Sequence, residues 1–258
     1  MTVTIRPQQP LRKLACVPSP PDERDADFHV STLTLPKAVK LPVQIRTRPP
    51  GTPWDQGQLG TCVGNGTGLA CVVALNAKLG YWITNTPAQG EALAHDLYHL
   101  ANPNDPTYEQ GANIRAALAA AQKIGVLGYT KAGIAQRFRI KSYHSLLPSS
   151  DIEGAIEQAL AANMVVVTGW QWPEDWMVQS VPLDTLPTPP AGEPAAGGHC
   201  VGIWRAAMRH PAPKVTSLVR EHALENSWGK AFGPGGSAYF DAALEKTPML
   251  FDAWVVQA

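Results

Sequence analysis

Asp55-Gln56-Gly57-Gln58-Leu59-Gly60-Thr61-Cys62 is the stretch from which the rest of the chain can be read. It sets an amide side chain six residues ahead of a cysteine, with glycines between them that let the backbone turn sharply. Far downstream stand Gly197-Gly198-His199 and Asn226-Ser227-Trp228-Gly229. A Gln, a Cys, a His and an Asn in that order supply what thiolate acyl transfer requires. The Cys is a nucleophile, the His a general base, the Asn an orienting partner and the Gln an oxyanion donor.

Working outward, Cys62 opens an expected helix to about Leu79, with Gly80 as its stop. Glycines 64, 66 and 68 oppose it, since each costs roughly 1 kcal/mol against Ala inside a helix. The helix therefore needs tertiary packing, with another backbone pressed against its glycine face. Leu93, Leu97 and Leu100 mark a second helix over Glu91–Ala101, and Ile114, Leu118 and Ala121 a third over Asn113–Ile124. Ser150 and Glu153 read as a capping box for a fourth, ending at Asn163 and leading into the strand Met164–Val167. From there the chain reads as β: Gly198–Met208, Val215–Trp228, Ser237–Phe240 and Phe251–Val256, with a turn at His210–Pro213. Val181–Pro194 is too rich in proline for regular structure. A helical half thus carries Cys62, and a β half carries His199 and Asn226.

Residues 1–34 are polar and proline-rich and form an extended leader ahead of an ordered body over 35–258, helical over about 54–147 and β over about 148–258. Lys+Arg and Asp+Glu both number 21 and cluster nowhere, which argues against nucleic acid as a partner. The start lacks the apolar core of a secretory signal, and no apolar run reads as a membrane span, Met164–Val167 being taken as a buried strand. With Cys62 required free, Cys16, Cys71 and Cys200 cannot all pair, so a reducing compartment is the simpler expectation. The chain is expected in the cytoplasm, or exported without a classical signal peptide.

Together these segments resemble the papain-like cysteine peptidases, in particular their prokaryotic and phage branch. The resemblance rests on residues 55–62, Gly197-Gly198-His199-Cys200-Val201-Gly202, and Glu225-Asn226-Ser227-Trp228-Gly229 with Phe232-Gly233. Leu35-Pro36-Lys37-Ala38-Val39 is similar to the start of the family's mature domain, and Gly111-Ala112-Asn113-Ile114-Arg115 to its peptide-binding segment. The resemblance implies an α+β fold of two subdomains, a helical left half with the nucleophile helix and an antiparallel, barrel-like β right half. It implies hydrolysis of peptide bonds through a Cys62 thioester, with Gln56, His199 and Asn226 catalytic and Gly111, Ala112, Gly198 and Trp228 contacting a peptide or protein substrate. A helix N-terminus and a neighbouring imidazolium are expected to favour the Cys62 thiolate. Deamidation, transpeptidation or silent binding on the same scaffold are the alternatives.

The chain departs from the family's eukaryotic pattern. Leu59 stands where a disulfide cysteine is usual, Val63 replaces an aromatic residue after the nucleophile, and Ala112 replaces a glycine. His199 falls within the family's spacing of about 130–150 residues from the cysteine, while Asn226 lies beyond it. Three other signals are discounted. His95 and His99 share a helix face without a third ligand, so no metal or other cofactor is expected. The Gly64–Gly68 run follows no strand, as a dinucleotide loop must. Trp170, Trp172 and Trp176 read as core or as a flap over the cleft. The leader, placed ahead of a mature-like start, is expected to lie across the cleft and occlude it.

Overall fold

The computed structural model describes residues 12–177, 184–210 and 216–258. Four helices appear among them: α1 (Cys62–Leu79), α2 (Pro87–Ala101), α3 (Ile114–Lys123) and α4 (Ile152–Ala161). The strands are β1 (Val43–Gln44), β2 (Val126–Tyr129), β3 (Ala135–Phe138), β4 (Ser142–Ser145), β5 (Val166–Pro173), β6 (Ala195–Arg209), β7 (Val219–Glu225), β8 (Ser237–Asp241) and β9 (Leu250–Gln257). One antiparallel sheet runs β4-β9-β5-β6-β7-β8, with β1 added to β6; β2 and β3 make a separate hairpin. The expected α+β architecture is the one observed.

Helix α1 is the element on which the two halves meet. Its glycines are used for close approach. A Cβ on Gly64 would lie 2.0 Å from the Ala94 carbonyl oxygen of α2, and one on Gly66 would lie 2.7 Å from the Cys200 sulfur of β6. At Gly68 the neighbours are Leu93 and Trp54 side chains. The propensity cost is thus offset by packing on several sides, with a neighbouring backbone pressed against Gly64 as expected. Gly80 ends the helix in the left-handed conformation, its N–H donating to the Asn76 carbonyl. This 18-residue helix, with mean hydropathy 1.2, is long and apolar enough by composition to cross a membrane, contrary to the expectation that no such run exists. Here 72% of it is buried inside the protein.

Several boundaries differ from expectation. Helix α2 begins at Pro87 rather than Glu91, because Thr86 accepts from Gln89 N–H and proline sits at the first helical position. The N-cap of α4 is Asp151, not Ser150: its carboxylate accepts from Gly154 N–H at 3.1 Å, and the helix ends at Ala161. Strand β5 continues past Val167 to Pro173 and carries Trp170 and Trp172 into the core. The β2–β3 hairpin and β4 lie where no strand was expected, and β4 pairs with β9. The leader holds two short 3-10 turns, Glu23–Ala26 and Val30–Thr32. Most of the expected turn at 210–213, and part of the proline-rich 181–194 segment, lie outside the described residues.

Candidate active site

The loop ahead of Cys62 is fixed by backbone pairing to the segment after β7. Gln56 N–H donates to the Ser227 carbonyl at 2.8 Å, Gly229 N–H donates to the Trp54 carbonyl at 3.1 Å, and Asp55 and Trp228 form an antiparallel bridge. Sequence segments that are remote along the chain are therefore two edges of one site. Within it the Gln56 side chain is held by three bonds. Its amide nitrogen donates to the carbonyls of Leu59 (2.7 Å) and Lys13 (2.9 Å), and its amide oxygen accepts from the Ser227 hydroxyl at 2.6 Å.

His199 on β6 and Asn226 just past β7 are brought together: Nε2 lies 2.8 Å from the Asn226 Oδ1. Because that oxygen only accepts, Nε2 carries the proton in the neutral ring and Nδ1 is left with a free lone pair. Nδ1 is buried without a hydrogen-bond partner. Asn226 Oδ1 also accepts from Ser227 N–H at 2.8 Å, which fixes the amide's orientation. The imidazole is packed by Trp228, centroid 5.1 Å away, and by the edge-on ring of Trp172 at 4.6 Å. Trp170, Trp172 and Trp176 are fully buried, so the tryptophan cluster is core and a wall behind the imidazole.

Cys62 is fully buried at the start of α1. The backbone N–H groups of Ala15, Cys200 and Val63 face its sulfur, which places it beside the residue that follows His199. Burial pushes its thiol up to about 12, with Cys16 adding to the effect and those three N–H groups working against it. Burial likewise lowers His199 to about 4, against its hydrogen bond to Asn226. Burial thus works against both the thiolate and the imidazolium. The pull of the helix N-terminus toward the expected thiolate is therefore opposed by desolvation under the chain that covers the sulfur.

That covering chain is the leader. Cys16 N–H donates to the Gly198 carbonyl at 2.9 Å, Val17 N–H to the Ala112 carbonyl at 3.0 Å, and Ala112 N–H to the Ala15 carbonyl at 3.0 Å. Gly111 sits at φ +83° with Ala15 against it: a Cβ there would lie 2.6 Å from the Ala15 carbonyl oxygen. At Gly198 it would lie 1.8 Å from the Cys16 carbonyl oxygen. Arg12 anchors the near end on Asp55 (2.5 Å), on the Gly57 carbonyl (2.9 Å) and on the Trp228 carbonyl (3.3 Å). Further along, Ser19 N–H donates to Asp252 at 2.9 Å, and Arg115 grips Asp25 and the Pro20 carbonyl. Six of the eight residues singled out from sequence therefore touch one strip of chain, while His199 and Asn226 are bonded to each other beside Trp228. Sequence reasoning missed Ser227, whose hydroxyl sets the Gln56 amide, and Trp172; Ser227's place between Asn226 and Trp228 was the available signal.

Several solved structures share this fold. Xylellain, a cysteine protease from Xylella fastidiosa, superposes with a TM-score of 0.69 at 18% identity, over 99% of both chains. The fold is papain-like. Digestive procathepsin L 3 of Tenebrio molitor larval midgut follows at a TM-score of 0.67 and 15% identity, over 97% of this chain and 75% of that one. Procathepsin B S9 from Trypanosoma congolense gives 0.60 at 12% identity, over 94% and 83%. No family model and no curated protein matches the sequence. At these identities the papain-like likeness speaks for the fold, and the chemistry has to be argued from the site. His99 bonds the Tyr108 hydroxyl at 2.7 Å, a structural use of one of the paired histidines. Among the described residues no group of three or more His, Cys, Asp or Glu side chains could hold a metal ion.

Proposed function

We propose that the protein is a papain-like cysteine endopeptidase whose leader occupies the site in the resting state. One observation carries the reading: the Gln56 amide already donates to a peptide carbonyl, that of Lys13, in the site that also holds Cys62 and the His199–Asn226 pair. With substrate in the leader's place, His199 Nδ1 takes the Cys62 proton and the sulfur attacks the scissile carbonyl. The tetrahedral oxyanion is held by Gln56 and a backbone N–H, and His199 returns the proton to the leaving amine. A thioester on Cys62 remains, and water activated by His199 hydrolyses it. Asn226 fixes the ring with Nε2 protonated, which leaves the Nδ1 lone pair free to take a proton. Gly111, Ala112 and Gly198, whose surroundings the leader fills, would receive substrate backbone, and Trp228 shields the His199–Asn226 bond.

The same geometry explains a silent resting state. A covered thiol and imidazole stay neutral, and departure of the leader readmits water and lowers the cost of the ion pair. The prokaryotic and phage placement belongs to this reading, supported by the end-to-end match with xylellain.

The test is adduct mapping followed by product analysis. A chain freed of its leader is treated with a peptidyl epoxysuccinyl probe, and separately with a peptide library. Preferential labelling of Cys62 and new free termini are expected. Labelling elsewhere would sink the mechanism, and loss of ammonia or cross-linked products without new termini would replace hydrolysis by another acyl transfer. Asn226→Ala should keep its fold and lose roughly 5- to 150-fold in kcat/KM, the range for about 1–3 kcal/mol lost when a buried partner is removed.

A further inference from the structure

Three of the four cysteines converge where the leader crosses the site. Cys16 on the leader is 4% exposed, Cys200 on β6 is 1% exposed and Cys62 is fully buried. The Cys16 and Cys200 thiols lie close enough to act on each other electrostatically. The Cys16 backbone is anchored on the same strand, two residues away, through the bond from its N–H to the Gly198 carbonyl. Gly66 of α1 leaves the space that the Cys200 sulfur fills. Asp252, which accepts Ser19 N–H, also acts electrostatically on both thiols. Cys62 interacts with this pair through charge and through the Cys200 backbone. All four cysteines are free.

We propose that Cys16 and Cys200 are a redox-modification site: a disulfide between them ties the leader covalently across Cys62, and a dithiol reductant releases it. The oxidant is a hydroperoxide. When the leader loosens, one thiol of the pair attacks the peroxide oxygen and becomes a sulfenic acid, and the peroxide leaves as alcohol or water. As the leader re-docks, the second thiol attacks that sulfur, the S–S bond forms and water departs with the second thiol's proton. Two thiols lose two electrons and two protons, and one peroxide O–O bond is reduced. A dithiol reverses the step by thiol–disulfide exchange through a mixed disulfide. The bond from Cys16 N–H to the Gly198 carbonyl ties the leader to β6 two residues from Cys200, which selects Cys200 over Cys62 as the partner, so the nucleophile emerges unoxidised. Burial raises all three thiols, which slows oxidation while the leader is seated and confines it to the loosened state.

The inference rests on the leader covering the site and does not depend on turnover. The experiment uses the full-length chain, reduced, desalted and treated with one equivalent of hydrogen peroxide. It is then alkylated with iodoacetamide in denaturant and mapped without reduction. A cross-linked peptide pair containing Cys16 and Cys200 is expected, with Cys62 recovered alkylated. In native conditions the oxidised protein should lose labelling of Cys62 by a peptide-sized epoxysuccinyl probe and regain it on addition of dithiothreitol, while Cys16→Ser should show neither change. Absence of the cross-link, a Cys16–Cys62 pair in its place, or unaltered labelling of the cross-linked protein would overturn the proposal. Failure of the covering itself reads differently. The reduced chain, before any oxidant, would then label Cys62 as fast as a chain lacking residues 1–34, and the latch would fall with it.

Discussion

Replacing Arg12 by alanine tests how firmly the leader is seated without touching any residue proposed for chemistry. The Asp55 carboxylate is 45% exposed, so solvent screens its ion pair with Arg12 to about 0.5 kcal/mol. The Arg12 side chain is itself only 12% exposed. Its charged donor bonds to the Gly57 and Trp228 carbonyls, the second long at 3.3 Å, contribute about 1.5 kcal/mol together. Losing about 2 kcal/mol from the seated state raises the open population roughly 30-fold, at about 1.4 kcal/mol per factor of ten. The readout is the second-order rate of Cys62 labelling by a peptide-sized epoxysuccinyl probe. Where opening and closing outpace the probe, this rate follows the open population. Arg12→Lys keeps the charge but not the planar fork and should fall between wild type and Arg12→Ala. Wild-type labelling by Arg12→Ala would show that these bonds do not hold the leader, and the occlusion argument would have to be abandoned.

Two further outcomes concern the scaffold. Gly64→Ala places a Cβ against the Ala94 carbonyl; overpacking of about 1–3 kcal/mol exceeds the roughly 1 kcal/mol gained in helix propensity. Its urea midpoint should fall, and by more than that of Gly68→Ala, whose neighbours are side chains able to shift; equal midpoints would refute the close-approach account. His222 is buried. Burial alone would lower its pKa, but the carboxylates of Glu245, at 2.6 Å, and Glu157 push it up to about 9. A folded pKa above the unfolded value near 6.5 means a contribution fully present below pH 6.5 and lost as pH rises toward 9. Urea midpoints at pH 6.5 and 7.5, below the range where unfolded thiols titrate, should therefore drop in wild type and drop less in Glu245→Gln. A parallel fall in both would remove the pair as the cause.

What could be read from the chain was what residue types announce. The ends of α1 were legible because a loop rich in glycine precedes Cys62 and a left-handed Gly80 follows Leu79. The His199–Asn226 contact was legible because the order of Gln, Cys, His and Asn carries a chemistry. The β2–β3 hairpin was not, since Ala135, Gln136 and Arg137 are exposed and leave no alternating pattern to detect. Asp151 was passed over for Ser150 because adjacent capping types compete, and only the bond to Gly154 N–H decides between them. The leader's register was not legible. Its bonds to Ala112 and Gly198 are made by backbone groups, which every residue but proline offers alike. The nearness of Cys16 to Cys200 follows from that register and was hidden with it.

The leader binds Ala112, which precedes α3 in the helical half, and Gly198, which lies on β6 in the sheet half. A strand bonded on both flanks resists shear between the bodies on either side, as a dowel does in a joint. Its removal therefore alters more than access. The walls of the groove gain compliance, and the width of the groove becomes a variable that an incoming peptide can set. Hydrogen exchange at the N–H groups of Ala112, Gln56 and Gly229, all now bonded across this seam, would report that softening directly. On the proposed reading, the leader from Arg12 onward would set the rigidity of the groove as well as its occupancy.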